Sequence, residues 1–148
     1  MKQRNILIAG AGSAGTMMAN HLKRKLNHHE WKITIVDEAT THYYQPGFLF
    51  LPFGIYDEHE IQKPITKYIP DDVDFINTAI DKIEPERNVL TLINGAELPY
   101  DILIIASGCS IAPEETPGMK DKLWYKDIFD FYSFDGAKAL HDKLKNWE

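Results

Sequence analysis

The chain has 148 residues, of which 44% are hydrophobic and 26% are charged, and its formal net charge is −6. This length is typical of a single globular domain, which we expect to span residues 1–148. An acidic chain without a basic cluster lacks the cations that replace counterions on phosphates. The charge therefore argues against nucleic acid as the main partner and against an anionic membrane surface.

The cysteine and histidine content limits disulfide and metal chemistry. Cys109 is the only cysteine, so the chain can form neither an intrachain disulfide nor a thiolate metal cage. The six histidines show no metal-ligand spacing, and no metal site is predicted. No run approaches the roughly 18 apolar residues of a transmembrane helix. The N-terminus leads directly into the first predicted strand, so no signal peptide is predicted and we expect a cytoplasmic location.

A glycine motif follows the first predicted strand. The apolar run Ile6–Ala9 is typical of a buried parallel strand, and Gly10, Gly12 and Gly15 follow it at G-x-G-x-x-G spacing. In a dinucleotide fold these glycines permit a tight turn, a close approach of the backbone to a pyrophosphate, and close helix packing. We expect phosphates on the N–H groups of residues 13–15, where the helix dipole favours an anion.

A helix and a second strand follow the motif. Apolar residues at four-residue spacing, from Ala14 to Leu26, predict a helix from Ser13 to about Asn27. The next strand ends at Asp37, roughly 20 residues after the glycines, where a dinucleotide fold places the acid that accepts hydrogen bonds from a ribose. Glu38, one residue beyond the strand, is the alternative ligand. A glycine turn without any ligand is the other interpretation of this segment.

The loop after Asp37 leaves the carboxyl end of a strand, which is where ligands lie in open α/β sheets. We therefore expect the backbone of residues 43–47 to lie near the ligand. The apolar side chains between Phe48 and Phe53 are expected to fill the core, with ligand contact as the alternative.

The middle of the chain predicts an irregular helix followed by strands. Residues 58–68 favour a short helix interrupted at Pro64, and residues 73–80 favour a third core strand that runs into an antiparallel meander. Asn94-Gly95 is a strong hairpin signal, and Pro99 places the returning strand at an edge. A second buried strand, starting at Tyr100, ends in the small residues of 106–108, which allow a ligand to approach closely. A small-residue turn that only ends the strand is the equal alternative.

Taken together, these segments resemble the FAD domain of the two-dinucleotide-domain flavoproteins, the pyridine nucleotide-disulfide oxidoreductase superfamily. The resemblance rests on Gly10-x-Gly-x-x-Gly15, the Asp37 strand end, the meander and Tyr100-Asp-x-Leu-Ile-Ile-Ala-Ser-Gly108. The second signature usually reads Ala-Thr-Gly, and Ser107 keeps the hydroxyl. Within this family, residues 41–47 and 109–115 resemble sulfide:quinone oxidoreductases.

The resemblance implies an α/β, Rossmann-like FAD-binding domain with a parallel sheet and an inserted antiparallel β-meander. It implies that the pyrophosphate of FAD rests on the glycine turn, that backbone after the third strand meets adenine, and that residues 46 and 47 approach the flavin. Pro46 stands where related flavocytochromes carry a flavin-linking cysteine, so the FAD is expected to be non-covalent. The implied cofactor-binding residues are Gly10, Gly12, Ser13, Ala14, Gly15, Asp37, Glu38, Pro46, Gly47, Ala79, Ile80, Ala106, Ser107 and Gly108.

The family's reaction passes electrons from sulfide through the flavin to quinone and needs at least two cysteines, because sulfur is transferred between thiols. Cys109 does not match the positions of that cysteine pair. We expect it to be a small packed residue, with a redox role as the alternative.

The end of the chain predicts a helix from about residue 135, capped by Ser133 or Asp135. In the resembled family such a helix leads into a second dinucleotide domain. We therefore expect an N-terminal FAD-domain segment, truncated or degenerate, that is inactive alone and self-associates through exposed apolar surface. Peripheral membrane contact is expected only through parts outside this chain. The alternatives are a type II NADH:quinone dehydrogenase-like flavoprotein and a non-catalytic dinucleotide-binding module.

Overall fold

The computed structural model describes residues 3–147, so Met1, Lys2 and Glu148, to which the predicted domain extends, lie outside the described residues. The chain forms two compact units, the first comprising the residues up to 42 together with 64–108, and the second comprising residues 43–63 and those from 109 onward. In chain order the strands and α-helices are β1 (Arg4–Ala9), α1 (Ser13–Lys25), β2 (Trp31–Asp37), β3 (Thr41–Tyr43), α2 (Glu58–Ile61), β4 (Gln62–Pro64), β5 (Asp74–Asn77), β6 (Ile80–Glu84), β7 (Val89–Leu92), β8 (Glu97–Pro99), β9 (Ile102–Ile105) and α3 (Phe134–Lys145).

A four-stranded parallel sheet with the order β5-β2-β1-β9 forms the centre of the first unit. Successive side chains of β1 point to opposite faces, and both faces are covered. Ile6 and Ile8 pack with Ala19 of α1, whereas Leu7 packs with Leu90 of β7. Burial on both sides explains why β1 is a continuous apolar run rather than an alternating one. Each fully buried side chain of this size contributes about 1.5–3 kcal/mol.

The antiparallel meander is the three-stranded sheet β6-β7-β8. The hairpin predicted at Asn94-Gly95 is confirmed, because Gly95 has a φ of 83° and the Asn94 side chain accepts a hydrogen bond of 3.0 Å from the Ala96 N–H. Pro99 belongs to β8, which is an edge strand, as predicted. The predicted α/β fold with a parallel sheet and an inserted meander is therefore observed.

The structure corrects two predicted elements of the chain. The predicted helix over residues 58–68 is interrupted before Pro64 rather than at it, because α2 ends at Ile61, residues 62–64 form β4, and Ile65–Tyr68 form a 3-10 helix. Pro64 has no N–H to continue a helix. The run after Tyr100 is not a buried strand, since Ile102 and Ile105 of β9 are 44% and 67% exposed. β9 pairs with β1 on one side only, and no other described strand covers its outer edge.

The second unit is built on a small apolar cluster beneath α3. Phe48, Leu51 and Ile61 are buried there with Ala137 of α3. The prediction that residues 48–53 fill a core is confirmed for Phe48 and Leu51 and wrong for the exposed Leu49, Phe50 and Phe53. The predicted cap is present, because the Ser133 hydroxyl accepts a hydrogen bond of 3.0 Å from the Gly136 N–H. Among residues 3–147, no helix combines the length and apolarity needed to cross a bilayer.

Candidate functional site

Two glycines of the motif are required by the packing of the first unit itself. Gly10 has a φ of 106°, and a Cβ added there would collide with the backbone carbonyl of Ala106. A Cβ added at Gly15 would collide with the carbonyl of Gly10. The turn after β1, the end of β9 and the start of α1 are therefore in close backbone contact, which only glycine permits.

Gly12 differs from Gly10 and Gly15, because no neighbouring atom of the protein excludes a side chain at this position. A Cβ added at Gly12 would meet no heavy atom within 4 Å, and its φ of −67° suits any residue. Gly12 is the N-cap of α1, where no side chain caps the helix and the first turn holds no acid. The N–H groups of residues 13–15 have no partner within the helix. These donors at the positive end of the helix dipole form an open cradle that suits a phosphate.

Asp37 connects the end of β2 to this cradle. Its Oδ2 accepts a hydrogen bond of 2.6 Å from the backbone N–H of Ala11, and its Oδ1 accepts one of 2.8 Å from the N–H of Ala39. The carboxylate is half-buried beside the glycine turn, whereas the neighbouring Glu38 is exposed. Of the two acids considered from the sequence, Asp37 is the one that the structure fixes next to the motif.

Asn77, whose role the sequence pattern does not predict, holds the backbone after β2. Its Nδ2 lies 2.9 Å from the carbonyl oxygen of Asp37 and 3.0 Å from those of Glu38 and Ala39. An amide group has two N–H donors, so three carbonyl groups share them.

The remaining candidate residues of the first unit lie where the parallel strands end. The Ala79 carbonyl, after β5, accepts a hydrogen bond of 3.0 Å from the Ile93 N–H, and Ile80 begins β6. The Ala106 N–H, after β9, donates to the Ala9 carbonyl at 2.7 Å. Ser107 and Gly108 are exposed. The carboxyl ends of β1, β2, β5 and β9 thus bring these segments to one edge of the sheet, the position at which open α/β sheets bind ligands.

His42 is a second residue near the glycine motif that the sequence pattern did not single out. Its ring lies 4.4 Å from the ring of Tyr68, and its Nδ1 is buried without a hydrogen-bond partner among the described residues. Burial lowers the pKa of His42, and a hydrogen bond with the backbone of Ala11 opposes this shift only in part. Burial therefore favours the neutral form of the imidazole beside the glycine motif.

The candidate residues of the second unit differ in accessibility. Pro46 is exposed, but Gly47 is buried, and a Cβ added there would collide with the Ile61 side chain. Cys109 is exposed rather than packed, which corrects the expectation of a small buried residue. Its Sγ lies 3.0 Å from the Tyr132 hydroxyl, and this hydrogen bond raises the pKa of Tyr132. Within residues 3–147, no three His, Cys, Asp or Glu side chains cluster as a metal site would require.

Comparison with known proteins places these features in a family context. The family model described as pyridine nucleotide-disulphide oxidoreductase matches residues 4–146. The mitochondrial sulfide:quinone oxidoreductase of Dictyostelium discoideum is 26% identical over 141 residues, which are 95% of this chain and 31% of that protein. The type II NADH:quinone oxidoreductase of Staphylococcus haemolyticus is 29% identical over 150 residues, 98% of this chain and 36% of that protein.

A solved structure shows the same fold. The sulfide:quinone oxidoreductase of Aquifex aeolicus superposes with a TM-score of 0.77 at 22% identity, over 96% of this chain and 32% of that one. This likeness shows the fold over 96% of this chain. The chain spans about a third of the length of each of these relatives.

Proposed function

This chain belongs to the pyridine nucleotide-disulphide oxidoreductase family, and from that membership we propose that it is the FAD-binding portion of a sulfide:quinone oxidoreductase. The observation that carries the proposal is the open cradle at Gly12, which suits a phosphate and which a side chain at this position would fill. The similarity to sulfide:quinone oxidoreductases over 95% of the chain supports the choice within the family.

The proposal assigns FAD to the carboxyl edge of the parallel sheet, bound without a covalent link. The N–H groups of Ser13, Ala14 and Gly15 bind the pyrophosphate, and Gly10 and Gly12 keep that space open. Asp37 accepts hydrogen bonds from the adenosine ribose, in preference to Glu38. Further contacts are assigned to the remaining predicted residues, which are Pro46, Gly47, Ala79, Ile80, Ala106, Ser107 and Gly108.

When bound, FAD supplies two-electron redox chemistry that side chains cannot provide. The chain contributes binding and orientation: unpaired helix N–H groups for the diphosphate, and Asp37, held by Ala11 and Ala39, for the ribose. The single cysteine limits sulfide chemistry, because sulfur transfer between thiols needs two. We therefore expect the 148 residues to bind FAD without catalysing turnover.

The experiment that tests FAD binding is a titration of the purified chain, followed by the fluorescence of FAD. Gly12→Val places a side chain in the open space without touching the protein, so we expect FAD affinity to fall at least about tenfold while the melting temperature changes little. Gly15→Ala is the contrasting variant, since its methyl group collides with Gly10 and should lower the melting temperature. A wild-type chain that binds no FAD, or a Gly12→Val variant that binds it normally, would contradict the proposal.

A second candidate is the corresponding portion of a type II NADH:quinone oxidoreductase, supported by 29% identity to the Staphylococcus haemolyticus protein over 98% of the chain. Anaerobic addition of sulfide or NADH to the FAD-loaded chain addresses the electron donor. Bleaching by sulfide supports the first candidate, and bleaching by NADH supports the second. If FAD binds and neither donor bleaches it, the coding frame beyond Glu148 decides between an enzyme portion and a non-catalytic dinucleotide-binding module.

The partners and the location are part of the same proposal. Sulfide and quinone are assigned to the whole enzyme, together with a cytoplasmic location and peripheral membrane contact through parts outside this chain. Self-association of this chain is supported by the exposed isoleucines of the β9 edge.

A further inference from the structure

A pocket on the side of α1 lies outside the FAD assignment. It has a volume of about 450 Å³, and its lining residues are Thr16, Met17, Asn20, His21, Arg24 and Tyr68. All six belong to the first unit, and none of them is among the predicted cofactor-binding residues. Small-molecule sites in proteins typically measure about 300–1,000 Å³. The pocket is therefore large enough for an organic ligand in addition to FAD.

Two basic side chains line this pocket in an otherwise acidic chain. His21 and Arg24 are three residues apart on α1, which places them on the same face of the helix. None of the described residues that line the pocket is an aspartate or a glutamate. Among residues 3–147, no salt bridge involves Arg24, whereas the neighbouring Lys23 pairs with Asp72 at 3.3 Å. The guanidinium group of Arg24 is therefore available to an anionic ligand.

Hydrogen bonds hold the polar wall of the pocket in place. The Asn20 amide donates to the carbonyl oxygens of Thr16 and Tyr68, at 2.9 and 2.8 Å, and so connects α1 to residue 68. The Thr16 hydroxyl donates to the carbonyl oxygen of Gly12 at 2.9 Å. Because these donors are used within the protein, the main donor left for a ligand is the planar fork of N–H groups on Arg24. Such a fork matches the paired oxygens of a carboxylate or a phosphate.

Tyr68 and Met17 supply apolar surface in the same pocket. Their exposed fractions are 39% and 71%. The ring of Tyr68 is held by the ring of His42, with 4.4 Å between the two ring centroids. An aromatic ring and a thioether both favour contact with a planar apolar group. A ligand that matches the charged and the apolar parts of the pocket carries an oxyanion on a planar apolar body.

We propose that this pocket binds a small organic oxyanion, which is a carboxylate or a phosphate monoester on a planar apolar body. The oxyanion lies against the guanidinium group of Arg24, and the planar body lies on Tyr68 and Met17. The site is additional to the phosphate cradle of residues 13–15 and shares no residue with it. The proposal concerns binding only and does not depend on the identity of the cofactor.

The test is a titration of the ¹⁵N-labelled chain followed by NMR, with benzoate and phenyl phosphate as the probes. We expect saturable shifts of the Arg24 Nε–H and Asn20 amide signals, and the tighter probe identifies the oxyanion. Arg24→Gln removes the charge from the pocket and should weaken binding at least about tenfold. Lys25→Gln is the matched control, because it removes a positive charge from the same helix turn at a residue that does not line the pocket. It should change the affinity less than about twofold.

Two further compounds separate the parts of the ligand, because inorganic phosphate lacks the planar body and benzyl alcohol lacks the charge. Each should bind at least about tenfold more weakly than the better probe. The proposal would be overturned if neither probe gave saturable shifts, if the shifts were confined to residues 13–15, or if Arg24→Gln and Lys25→Gln weakened binding equally. Inorganic phosphate or benzyl alcohol binding as tightly as the better probe would overturn it too.

The titration with these probes is separate from the measurement of FAD by flavin fluorescence. A chain that binds FAD but neither benzoate nor phenyl phosphate would refute this inference and leave the proposed function intact. A chain that binds one of the probes at Arg24 but no FAD would do the reverse.

Discussion

The carboxylate of Asp37 accepts a hydrogen bond of 2.6 Å from the backbone N–H of Ala11, which fastens the end of β2 to the glycine turn after β1. The same side chain is the one to which the proposal assigns the ribose of FAD. Asp37 is therefore assigned two roles, stabilising the fold and binding the ribose, and experiments can separate them.

Asp37→Ala is expected to weaken FAD binding by about 10- to 100-fold, since hydrogen bonds to a charged group contribute about 1.5–3 kcal/mol each. It should also lower the free energy of unfolding, because the N–H groups of Ala11 and Ala39 lose their acceptor. Glu38→Ala is the matched control and should change neither quantity, because Glu38 is exposed. FAD titration and thermal unfolding measure both effects. If Glu38→Ala weakened FAD binding more than Asp37→Ala, the ribose would belong to Glu38.

Asn77→Ala tests whether the backbone after β2 must be held in place. The change removes an amide that lies within 3.0 Å of three carbonyl oxygens, so we expect a loss of about 1–3 kcal/mol in the free energy of unfolding and weaker FAD binding through a displaced Asp37. Asn146→Ala is the control, because Asn146 donates one bond of 2.8 Å, to the Asp142 carbonyl near the end of α3. Chemical denaturation of both variants gives the comparison. Equal losses would show that Asn77 has no special role.

Local signals predicted the parts of the site that depend on backbone alone. The glycine spacing, the strand ends and the Asn94-Gly95 hairpin each involve a few neighbouring residues, and sequence specifies such features directly. Asn77 was missed because its role requires strand β5 to lie beside β2, and the hydrophobic pattern of the sequence does not show which strands are neighbours. His42 was missed because only the fold brings it to Ala11. The exposure of β9 was mispredicted because an apolar run predicts a buried strand, and the run itself does not show whether a neighbouring strand covers it.

Ile105→Lys is expected to reduce self-association of this chain. An edge strand with apolar side chains and no charge is a template for pairing with another strand, and a lysine opposes such pairing. Ile105 is 67% exposed on β9, whose outer edge is uncovered by the described strands. Ile93→Lys is the matched control, because Ile93 is 71% exposed but lies outside the strands. Light scattering coupled to gel filtration measures the mass. A wild-type chain that elutes as a clean monomer would refute the expectation.

His42 should make stability depend on pH in the mildly acidic range. Its pKa in the folded protein is lowered by burial, so the unfolded chain binds a proton more readily than the folded one. The stability that the neutral ring contributes is therefore fully present above the unfolded pKa of about 6.5 and is lost as the pH falls below it.

His42→Phe isolates this contribution, since it keeps an aromatic ring against Tyr68 and removes the titrating group. Between about pH 7.5 and pH 5, the melting temperature of the wild type should fall more than that of His42→Phe. His28→Phe is the control, because His28 is exposed and should leave the wild-type pH profile unchanged. Should His42→Phe show the same decline as the wild type, protonation of other groups would account for the acid sensitivity, and the half-buried imidazole of His42 would have no part in it.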